Sequence, residues 1–242
     1  DQLIAERRVR GYDTGGILSV LMNARDEQGQ PGNNEYIHVE LNSVLSAGHE
    51  TTGTALAWAL YELGRHPEVL AKLRAELENL GSKPDPGQLL TLPYLGAVCN
   101  ETVRLHPILA ECGRVAMQPM EILGRTIPAG TALVVSMVSI HHDPVLYPEP
   151  YRFVPERFID RHYGVHEFLP FGGGHRRCLG AGLAEYSMRI ALAEIAINWE
   201  FEAAVEDRDV RHSIAMGPKR GVPLRIKSRR SPKGKGVEIG PS

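Results

Sequence analysis

The sequence predicts a mainly α-helical protein with small β-sheets, an α+β fold. Apolar residues recur at helical spacing in several long segments, at about 39–64, 67–80, 94–105 and 183–197. Short runs with strand character lie between and after the later helices. A glycine-rich turn at 171–180 holds a lone cysteine directly before the last long helix. The helical periodicity, the short strands and this turn together indicate the fold class.

Composition and charge limit the kind of protein this is. The 242 residues are 43% hydrophobic and 23% charged, which is ordinary for a globular protein. The formal net charge of −2 indicates no polyanionic partner, so nucleic acid is not expected. The 3 widely spaced cysteines argue against a disulfide framework and favour a reducing, cytoplasmic compartment. No apolar run is long enough to span a bilayer, and the N-terminus has no signal-peptide pattern.

The first part of the chain predicts helices separated by glycine-containing breaks. We expect a helix over 1–10, a second from Ile17 to about Asp26, and a polar loop at 28–34. The long helix at 39–64 is so rich in apolar residues that much of its circumference is expected to be buried. Its middle, residues 47–53, contains glycines and threonines, which are poor helix formers. A local weakness of this kind with no packing benefit is a hint of function.

Shorter elements follow along the rest of the chain. Residues 120–127 predict a hairpin, and strands are expected at 131–135, 199–205 and 222–226. The stretch from His141 to Pro170 is irregular and long, which usually indicates function. We expect one domain over 1–227 and a disordered tail, rich in glycine and basic residues, over 228–242.

The turn around Cys178 is the strongest candidate site. Glycines allow its backbone to approach a bulky group closely, and the arginines and helix start beside Cys178 favour a thiolate. A metal cofactor fits this arrangement, and haem fits best. A buried structural cysteine stays open as the alternative. Zinc is disfavoured because there is no CxxC pair, a phosphate loop because GxxxxGK[ST] is absent, and a nucleophile because no base is evident.

Three other segments carry chemically informative residues. In the long helix, His49-Glu50 is not a zinc-protease motif because position 53 is glycine. That segment is either a kink with surface polar groups or a carboxylate and a hydroxyl that hold water and pass protons. The pair Glu101 and Arg104 shares one helix face, and such pairs are common. The segment Pro155–Phe158 by itself indicates only a turn.

Together and in this order, the segments resemble the motifs of the cytochrome P450 family. The family pattern [AG]-G-x-[DE]-T-[TS] is matched at 47–52, and E-x-x-R at 101–104. The pattern P-E-R-F is matched at 155–158, and F-x-x-G-x-R-x-C-x-G at 171–180. The resemblance is to the C-terminal half of a family member and is closest to soluble bacterial types. It implies the corresponding half of that fold, with its long central helix and cysteine-ligand loop.

The resemblance also implies a cofactor, haem b, and residues that hold it. Cys178 would be the axial thiolate of the haem iron. Arg176 and Arg114 would pair with the haem propionates, with His141 as a weaker candidate. The loop would lie against the porphyrin through Phe171, Gly172 and Gly180.

Roles for the other motifs follow from the same resemblance. Glu50 and Thr51 would hold water and deliver protons, with Gly48 making room for them. Glu101, Arg104 and Arg157 would form a buried ion network that fixes the proximal side. The substrate pocket would be lined by Ala47, Gly48, Ile108, Leu109 and Met216.

The activity that the resemblance implies is haem-thiolate monooxygenation of a small apolar molecule. No flavin or nicotinamide fingerprint is present, so electrons would come from a ferredoxin- or flavodoxin-type donor that docks near Arg176 and Arg177. Because only half of a family member is matched, the haem face is expected to be open, with self-association as one way to cover it. A non-turnover haem-binding fragment and a peroxidase- or peroxygenase-like protein are the alternatives.

Overall fold

The structure is a computed structural model that describes residues 2–10, 15–80, 85–212 and 214–230. Its helices, in chain order, are α1 (Gln2–Arg10), α2 (Ile17–Asn23), α3 (Asn34–Arg65), α4 (Pro67–Glu78), α5 (Pro86–Leu89), α6 (Pro93–Leu105), α7 (Met137–His141), α8 (Arg157–Asp160) and α9 (Ala181–Asn198). Among the described residues, no helix combines the length and the apolar character needed to cross a membrane.

The strands form antiparallel pairs rather than one large sheet. They are β1 (Glu111–Val115), β2 (Met120–Ile122), β3 (Arg125–Ile127), β4 (Ala132–Ser136), β5 (Trp199–Ala203), β6 (Asp209–His212), β7 (Ala215–Pro218) and β8 (Leu224–Arg229). The pairs are β1 with β4, β2 with β3, β5 with β8, and β6 with β7. Strands this short stabilise a fold only by packing against helices or closing loops.

The chain divides into two compact units, residues 1–51 and 52–242. The first unit has a small core in which Ile4, Leu18, Met22 and Ile37 are buried. These residues come from α1, α2 and the start of α3, whose apolar positions meet there. The apolar stripes of these helices therefore account for the core of the first unit.

The second unit has the larger core, built from the end of α3 with α4, α6 and α9. Leu63, Leu73, Leu95 and Leu192 are almost completely buried in it. Glu76 of α4 fixes the start of α6 by accepting hydrogen bonds from the backbone N–H groups of residues 94 and 95, each at 2.8 Å. A side-chain carboxylate thereby satisfies two of the N–H groups that a helix start leaves unpaired.

The long helix differs from the sequence expectation in two ways. Its first half is largely exposed, with Val39 at 56% and Leu45 at 68%, so the predicted burial of most of its circumference is wrong there. The helix also continues without interruption through residues 47–53. Helical hydrogen bonding along the backbone therefore outweighs the poor helix propensity of the glycines and threonines.

Several short elements were not expected from the sequence. These are α5, α7, β1 and the β6–β7 hairpin. The predicted hairpin at 120–127 and the strands near 131–135, 199–205 and 222–226 are present with small shifts in their ends. Strand β8 reaches Arg229, so the first two residues of the predicted tail lie in a strand, while residues 231–242 lie outside the described residues.

Candidate functional site

The turn before α9 presents the thiol of Cys178 at the surface. The backbone N–H of Cys178 donates to the carbonyl oxygen of Phe171 at 2.9 Å, which closes the turn. Gly172 and Gly174 have φ angles of 69° and 65°, a left-handed conformation that favours glycine. Cys178 is exposed, so the expectation of a buried structural cysteine is wrong. The glycines thus hold the thiol outward rather than packing it inside.

Cys178 also lies at the start of a long helix. Gly180 is the residue that precedes α9, and a Cβ atom added to it would lie 4.0 Å from the Cys178 sulfur. The first-turn N–H groups of a helix carry partial positive charge, which attracts anionic groups. The structure therefore places a thiol where negative charge is favoured.

A groove with a volume of about 490 Å³ lies in the second unit beside this turn. Its lining residues are Gly113, Arg114, Val115, Ala132, Leu133, Val134 and Arg176. The antiparallel pairing of β1 with β4, which sets Arg114 opposite Leu133, creates its apolar wall. The groove is thus apolar with an arginine from β1 and an arginine from the cysteine turn.

Both arginines are available to a ligand. Arg114 donates from Nη1 to the Gly113 carbonyl at 2.8 Å, and in the described part of the chain neither Arg114 nor Arg176 pairs with a carboxylate. Guanidinium groups bind carboxylates in a bidentate manner, and apolar walls suit a flat ring. Leu179, beside the cysteine, is 101% exposed. An apolar ring with two carboxylates, as in haem, fits this combination of thiol, apolar wall and free arginines.

A second cluster contains the residues of the E-x-x-R and P-E-R-F motifs. Glu101 and Arg104 have fully buried side chains, and Arg104 Nε donates to Glu101 Oε2 at 2.6 Å. Arg157 Nε lies 3.2 Å from Glu101 Oε1, and the Val154 N–H donates to the same oxygen at 2.9 Å. The structure therefore brings Glu101, Arg104 and Arg157 into one buried ion network.

This network ties the irregular stretch to α6. Arg104 donates to the carbonyl oxygens of His141 at 2.7 Å and Pro150 at 2.8 Å. Arg157 donates to the carbonyl oxygens of Pro148 at 2.5 Å and Glu149 at 3.0 Å. Carbonyl groups of a segment without regular structure need such partners, because a carbonyl group that is buried without a hydrogen bond destabilises the fold. The two arginines thus supply side-chain donors to these carbonyl oxygens.

His141 lies inside the second unit and does not line the groove. Its Nε2 accepts a hydrogen bond from the Leu169 N–H at 3.0 Å, which places its proton on Nδ1. Burial, with Arg104 and His142 acting in the same direction, lowers the pKa of His141 to about 3, so the ring is neutral. The weaker propionate candidate is therefore a neutral interior residue. Its Nδ1 has no hydrogen-bond partner among the described residues.

Residues 47–51 of the helix motif lie on α3 in the first unit, and Thr52 is the first residue of the second unit. Thr51 donates from Oγ1 to the carbonyl oxygen of Ala47 at 2.6 Å, and Glu50 is exposed. No atom lies within 4 Å of the position that a Cβ atom would take on Gly48. The helix thus has open space at Gly48, next to a carboxylate and a hydroxyl group.

Two of the predicted pocket residues contact each other through their backbones. The Met216 N–H donates to the carbonyl oxygen of Ile108 at 2.7 Å, which joins strand β7 to the segment after α6. Leu109, next to Ile108, is 39% exposed. The structure therefore brings Ile108 and Met216 together at one wall, with Leu109 beside it.

Sequence reasoning missed a charged cluster near this wall, in which the side chains of His106 and Glu62 are nearly buried and that of Asp209 is 31% exposed. His106 has a carboxylate at each ring nitrogen: Glu62 Oε1 lies 2.8 Å from Nε2, and Asp209 Oδ2 lies 2.8 Å from Nδ1. In the sequence, His106-Pro107 indicated only the end of a helix. Glu62 and Asp209 are far from it in the chain and belong to no motif, so only the fold brings them together.

Comparisons with known proteins agree with the motifs. The chain matches the family model for cytochrome P450 over residues 10–224. Cyclooctat-9-en-7-ol 5-monooxygenase from Streptomyces melanosporofaciens is 38% identical over 205 residues, covering 82% of this chain and 45% of that protein. A Mycobacterium tuberculosis protein named cytochrome P450 135B1 is 37% identical over 215 residues, covering 88% of this chain and 45% of that protein.

A solved structure shows the same architecture. Cyanobacterial CYP120A1 with bound retinoic acid has a TM-score of 0.86 and 28% identity to this chain, covering 94% of it and 54% of the CYP120A1 chain. This likeness confirms the predicted α+β class. The chain spans about half the length of the relatives that it matches.

Proposed function

The chain belongs to the cytochrome P450 family, and on that premise we propose that it is the haem-binding part of a haem-thiolate monooxygenase. The reaction inserts one oxygen atom of dioxygen into an apolar C–H bond, and the other leaves as water. Two electrons come from a redox partner and two protons from solvent. Family membership implies a haem iron cofactor, and we propose that it is haem b.

The observation that carries this proposal is the groove beside the cysteine turn. Arg114 and Arg176 face it without carboxylate partners, and they are the arginines expected to hold the propionates. A cation beside an apolar groove is favourable when an anionic group of the ligand pairs with it. His141 stays the weaker propionate candidate of the family resemblance, since it is fully buried and does not line this groove.

The turn around Cys178 would hold the cofactor from one side. Haem, when bound through a cysteine thiolate, supplies the iron at which dioxygen is activated. Cys178 would be the iron ligand, while Phe171, Gly172 and Gly180 would shape the backbone that lies against the ring. The ion network of Glu101, Arg104 and Arg157 would keep the neighbouring stretch rigid, because its buried arginines hold several backbone carbonyls.

Proton handling is assigned to Glu50 and Thr51 on α3. A hydroxyl group and an exposed carboxylate one residue apart can hold a water molecule and pass a proton. The Thr51 hydroxyl donates to the Ala47 carbonyl, which leaves its oxygen free to accept a hydrogen bond from water. The open space at Gly48 gives that water room.

The proposed substrate is a small apolar molecule. The relatives named above support this class, because one is named as a monooxygenase of cyclooctat-9-en-7-ol and one structure contains retinoic acid. In the second unit the proposed pocket residues are Ile108, Leu109 and Met216, and in the first unit the proposed pocket residues are Ala47 and Gly48.

We propose a ferredoxin- or flavodoxin-type protein as the electron donor. The exposed side chains of His175, Arg176 and Arg177 beside the cysteine turn support an acidic partner. A reducing, cytoplasmic location would keep the exposed thiol of Cys178 reduced. Self-association over the haem face stays a prediction.

Haem affinity tests the proposal directly. We would titrate the 242-residue chain with haemin and follow the Soret absorbance. Arg114→Gln and Arg176→Gln should each weaken binding by about tenfold or more, because each removes a charge-assisted hydrogen bond. Arg177→Gln is the matched control, since Arg177 does not line the groove. Equal haem affinity in all four proteins would contradict the proposed site.

No observation favours a non-turnover or peroxygenase-like role over monooxygenation. Product formation driven by a redox partner and NADPH, compared with product formation driven by hydrogen peroxide, separates these functions. We expect product formation driven by the redox partner and NADPH to require dioxygen.

A further inference from the structure

The charged cluster around His106 has a geometry that implies a second function for it. We call Glu62, His106 and Asp209 the His106 clamp. The side chain of His106 is only 10% exposed and that of Glu62 6%. Each imidazole nitrogen lies 2.8 Å from a carboxylate oxygen, one on α3 and one at the start of β6. A neutral imidazole has a single N–H, so both contacts are favourable only when the ring is protonated.

Trp58 supports the protonated form. Its indole ring stacks on the imidazole with a centroid distance of 3.9 Å and an interplanar angle of 2°. Trp58 is fully buried, so the stack is shielded from water. A cation over an indole face is stabilised, and more strongly when it is desolvated.

The clamp lies on both sides of the contact between Ile108 and Met216. His106 immediately follows α6, and Ile108, two residues later, accepts the hydrogen bond of the Met216 N–H at 2.7 Å. Asp209 begins β6, and the pairing of β6 with β7 sets Arg211 opposite Met216. Ile108 is therefore two residues from His106 in the chain, and Met216 lies on β7, the strand that pairs with the strand of Asp209.

The same face of α3 supports the hairpin further along. Thr54, Trp58 and Glu62 are spaced four apart and share that face. A Cβ atom added to Gly217 in β7 would lie 3.6 Å from Thr54 Cγ2, so the strand packs closely on α3. The hairpin position is thus set by packing at Thr54 and by an ion contact at Asp209.

We propose that His106 is a positioning residue of the substrate pocket: the clamp holds the Ile108–Met216 wall in place and releases it as the pH rises. When the ring loses its proton, one nitrogen lone pair faces a carboxylate oxygen and repels it. One side of the clamp must then open, and the β6–β7 hairpin moves away from Ile108. The clamp itself is a feature of this chain, while its link to the substrate pocket rests on the proposed function.

The groups around His106 favour its charged form and extend that form to higher pH. Burial would lower the pKa of His106, but the contacts with Asp209 and Glu62 outweigh it and raise the pKa above 6.5. His66 also contacts Glu62, at 3.2 Å, and the Glu62 contact raises the pKa of His66. His142 lies near His106, and burial together with nearby cations lowers its pKa. Because the folded-state pKa of His106 is raised, the clamp contributes fully below pH 6.5 and is lost as the pH rises through that higher pKa.

Hydrogen exchange at the Met216 amide tests the clamp without haem. Protection of this amide, relative to an unfolded peptide at the same pH, should fall by about threefold or more between pH 6 and pH 9. The amide of Leu192 in the core of α9 is the internal reference, and its protection should not follow this profile. A Met216 protection that is constant with pH, or that changes in parallel with Leu192, would overturn the clamp.

A conservative variant distinguishes positioning from simple stability. Asp209→Asn keeps the shape and an oxygen that accepts from Nδ1–H, but it removes one charge that favours protonated His106. The pH at which Met216 loses protection should fall by about one unit. Asp160→Asn, at an exposed aspartate, is the matched control and should leave the profile unchanged. An unchanged midpoint in Asp209→Asn would overturn the inference.

The haem-loaded chain tests the link to the pocket. Imidazole and 1-phenylimidazole share the nitrogen that binds haem iron and differ in an apolar phenyl group that the wall would contact. The affinity of 1-phenylimidazole divided by that of imidazole, measured from absorption changes with each probe's concentration counted as its neutral base at that pH, should fall by about threefold from pH 6 to pH 9. A constant ratio beside a changing Met216 profile would overturn the pocket role. A chain that takes up no haem would contradict the proposed function, and the exchange profile would still decide on the clamp.

Discussion

Replacing Glu101 with glutamine is expected to destabilise the second unit strongly. Glu101 is completely buried and accepts hydrogen bonds from Arg104, Arg157 and the Val154 backbone. Glutamine keeps the shape of the side chain but not its charge. The NH2 group of glutamine is a donor, and it would face the N–H donors of the arginines and of Val154 that bind the carboxylate in the unchanged chain. The variant therefore leaves the buried guanidinium of Arg104 without its counter-charge.

The size of the effect follows from these contacts. Arg104 makes two hydrogen bonds to Glu101, at 2.6 and 2.8 Å, and both side chains are completely buried. Removing one partner of a buried ion pair costs about 3–5 kcal/mol, because the remaining charge stays buried and unpaired. Arg104 keeps its bonds to backbone carbonyls, which partly compensate, so we expect about 3 kcal/mol of lost unfolding free energy rather than the upper value.

Urea unfolding followed by tryptophan fluorescence measures this loss. Trp58 and Trp199 both lie in the second unit, so they report on the part that contains Glu101. With a urea dependence of about 2 kcal/mol per molar, the unfolding midpoint should fall by about 1.5 M. Glu149→Gln is the matched control, since its pair with Arg152 is exposed at 63% and 66% and should leave the midpoint unchanged. Equal midpoints for Glu101→Gln and Glu149→Gln would refute the reasoning.

Two further predictions concern the packing and the electrostatics of α3. A Cβ atom on Gly64 would lie 2.6 Å from the backbone nitrogen of Ala203, so Gly64→Ala should lower the unfolding free energy by about 1–3 kcal/mol in thermal unfolding. Gly53→Ala has open space and should stabilise the helix by about 0.5–1 kcal/mol; equal effects of the two variants would contradict the close approach. Burial opposes ionisation of Glu62, but its histidine partners lower its pKa to about 2. Because this value lies below the ordinary 4.5, the contribution of Glu62 is fully present above pH 4.5 while its histidine partners carry their protons, and it is lost as the pH falls towards 2. Urea midpoints of the unchanged chain should therefore fall faster below pH 4.5 than those of Glu62→Gln, and parallel curves would argue against this assignment.

The helical part of the fold could be predicted from the sequence because its signal is local. Apolar residues at helical spacing, with Pro67 at a helix start, indicated α4 within two residues of its observed end. The β2–β3 hairpin was equally clear, because a glycine marks its turn. In the structure Gly124 has a φ of 72°, a conformation that favours glycine. Local backbone preferences are sufficient for elements of this kind.

The remaining elements depend on partners that are distant in the chain. Strand β1 is mostly exposed and has no apolar alternation, so only its pairing with β4 defines it. The β6–β7 hairpin includes Gly217 and Pro218, which argue against a strand when taken alone. The short helix α5 did have a signal, the capping box of Asp85 and Gln88, which sequence reasoning passed over.

The candidate site shows the same division. The family resemblance indicated Cys178, Arg114 and Arg176 one by one, but the apolar groove that Arg114 and Arg176 line arises from the β1–β4 pairing. His106 belongs to no motif, and its two carboxylate partners come from α3 and β6. Residues that act through long-range contacts carry no sequence pattern of their own, so a sequence without a structure does not reveal them.

The absorption spectrum of the haem-loaded chain, reduced and exposed to carbon monoxide, measures ligation by Cys178. Our account predicts a Soret band at the position typical of thiolate ligation, and predicts that Cys178→Ala abolishes it. Cys112→Ala is the matched control, because Cys112 lies in β1 beside the groove but not in the cysteine turn, and the band should persist. A thiolate band that survives in Cys178→Ala, or that disappears in Cys112→Ala alone, would contradict the assignment of Cys178 as the iron ligand.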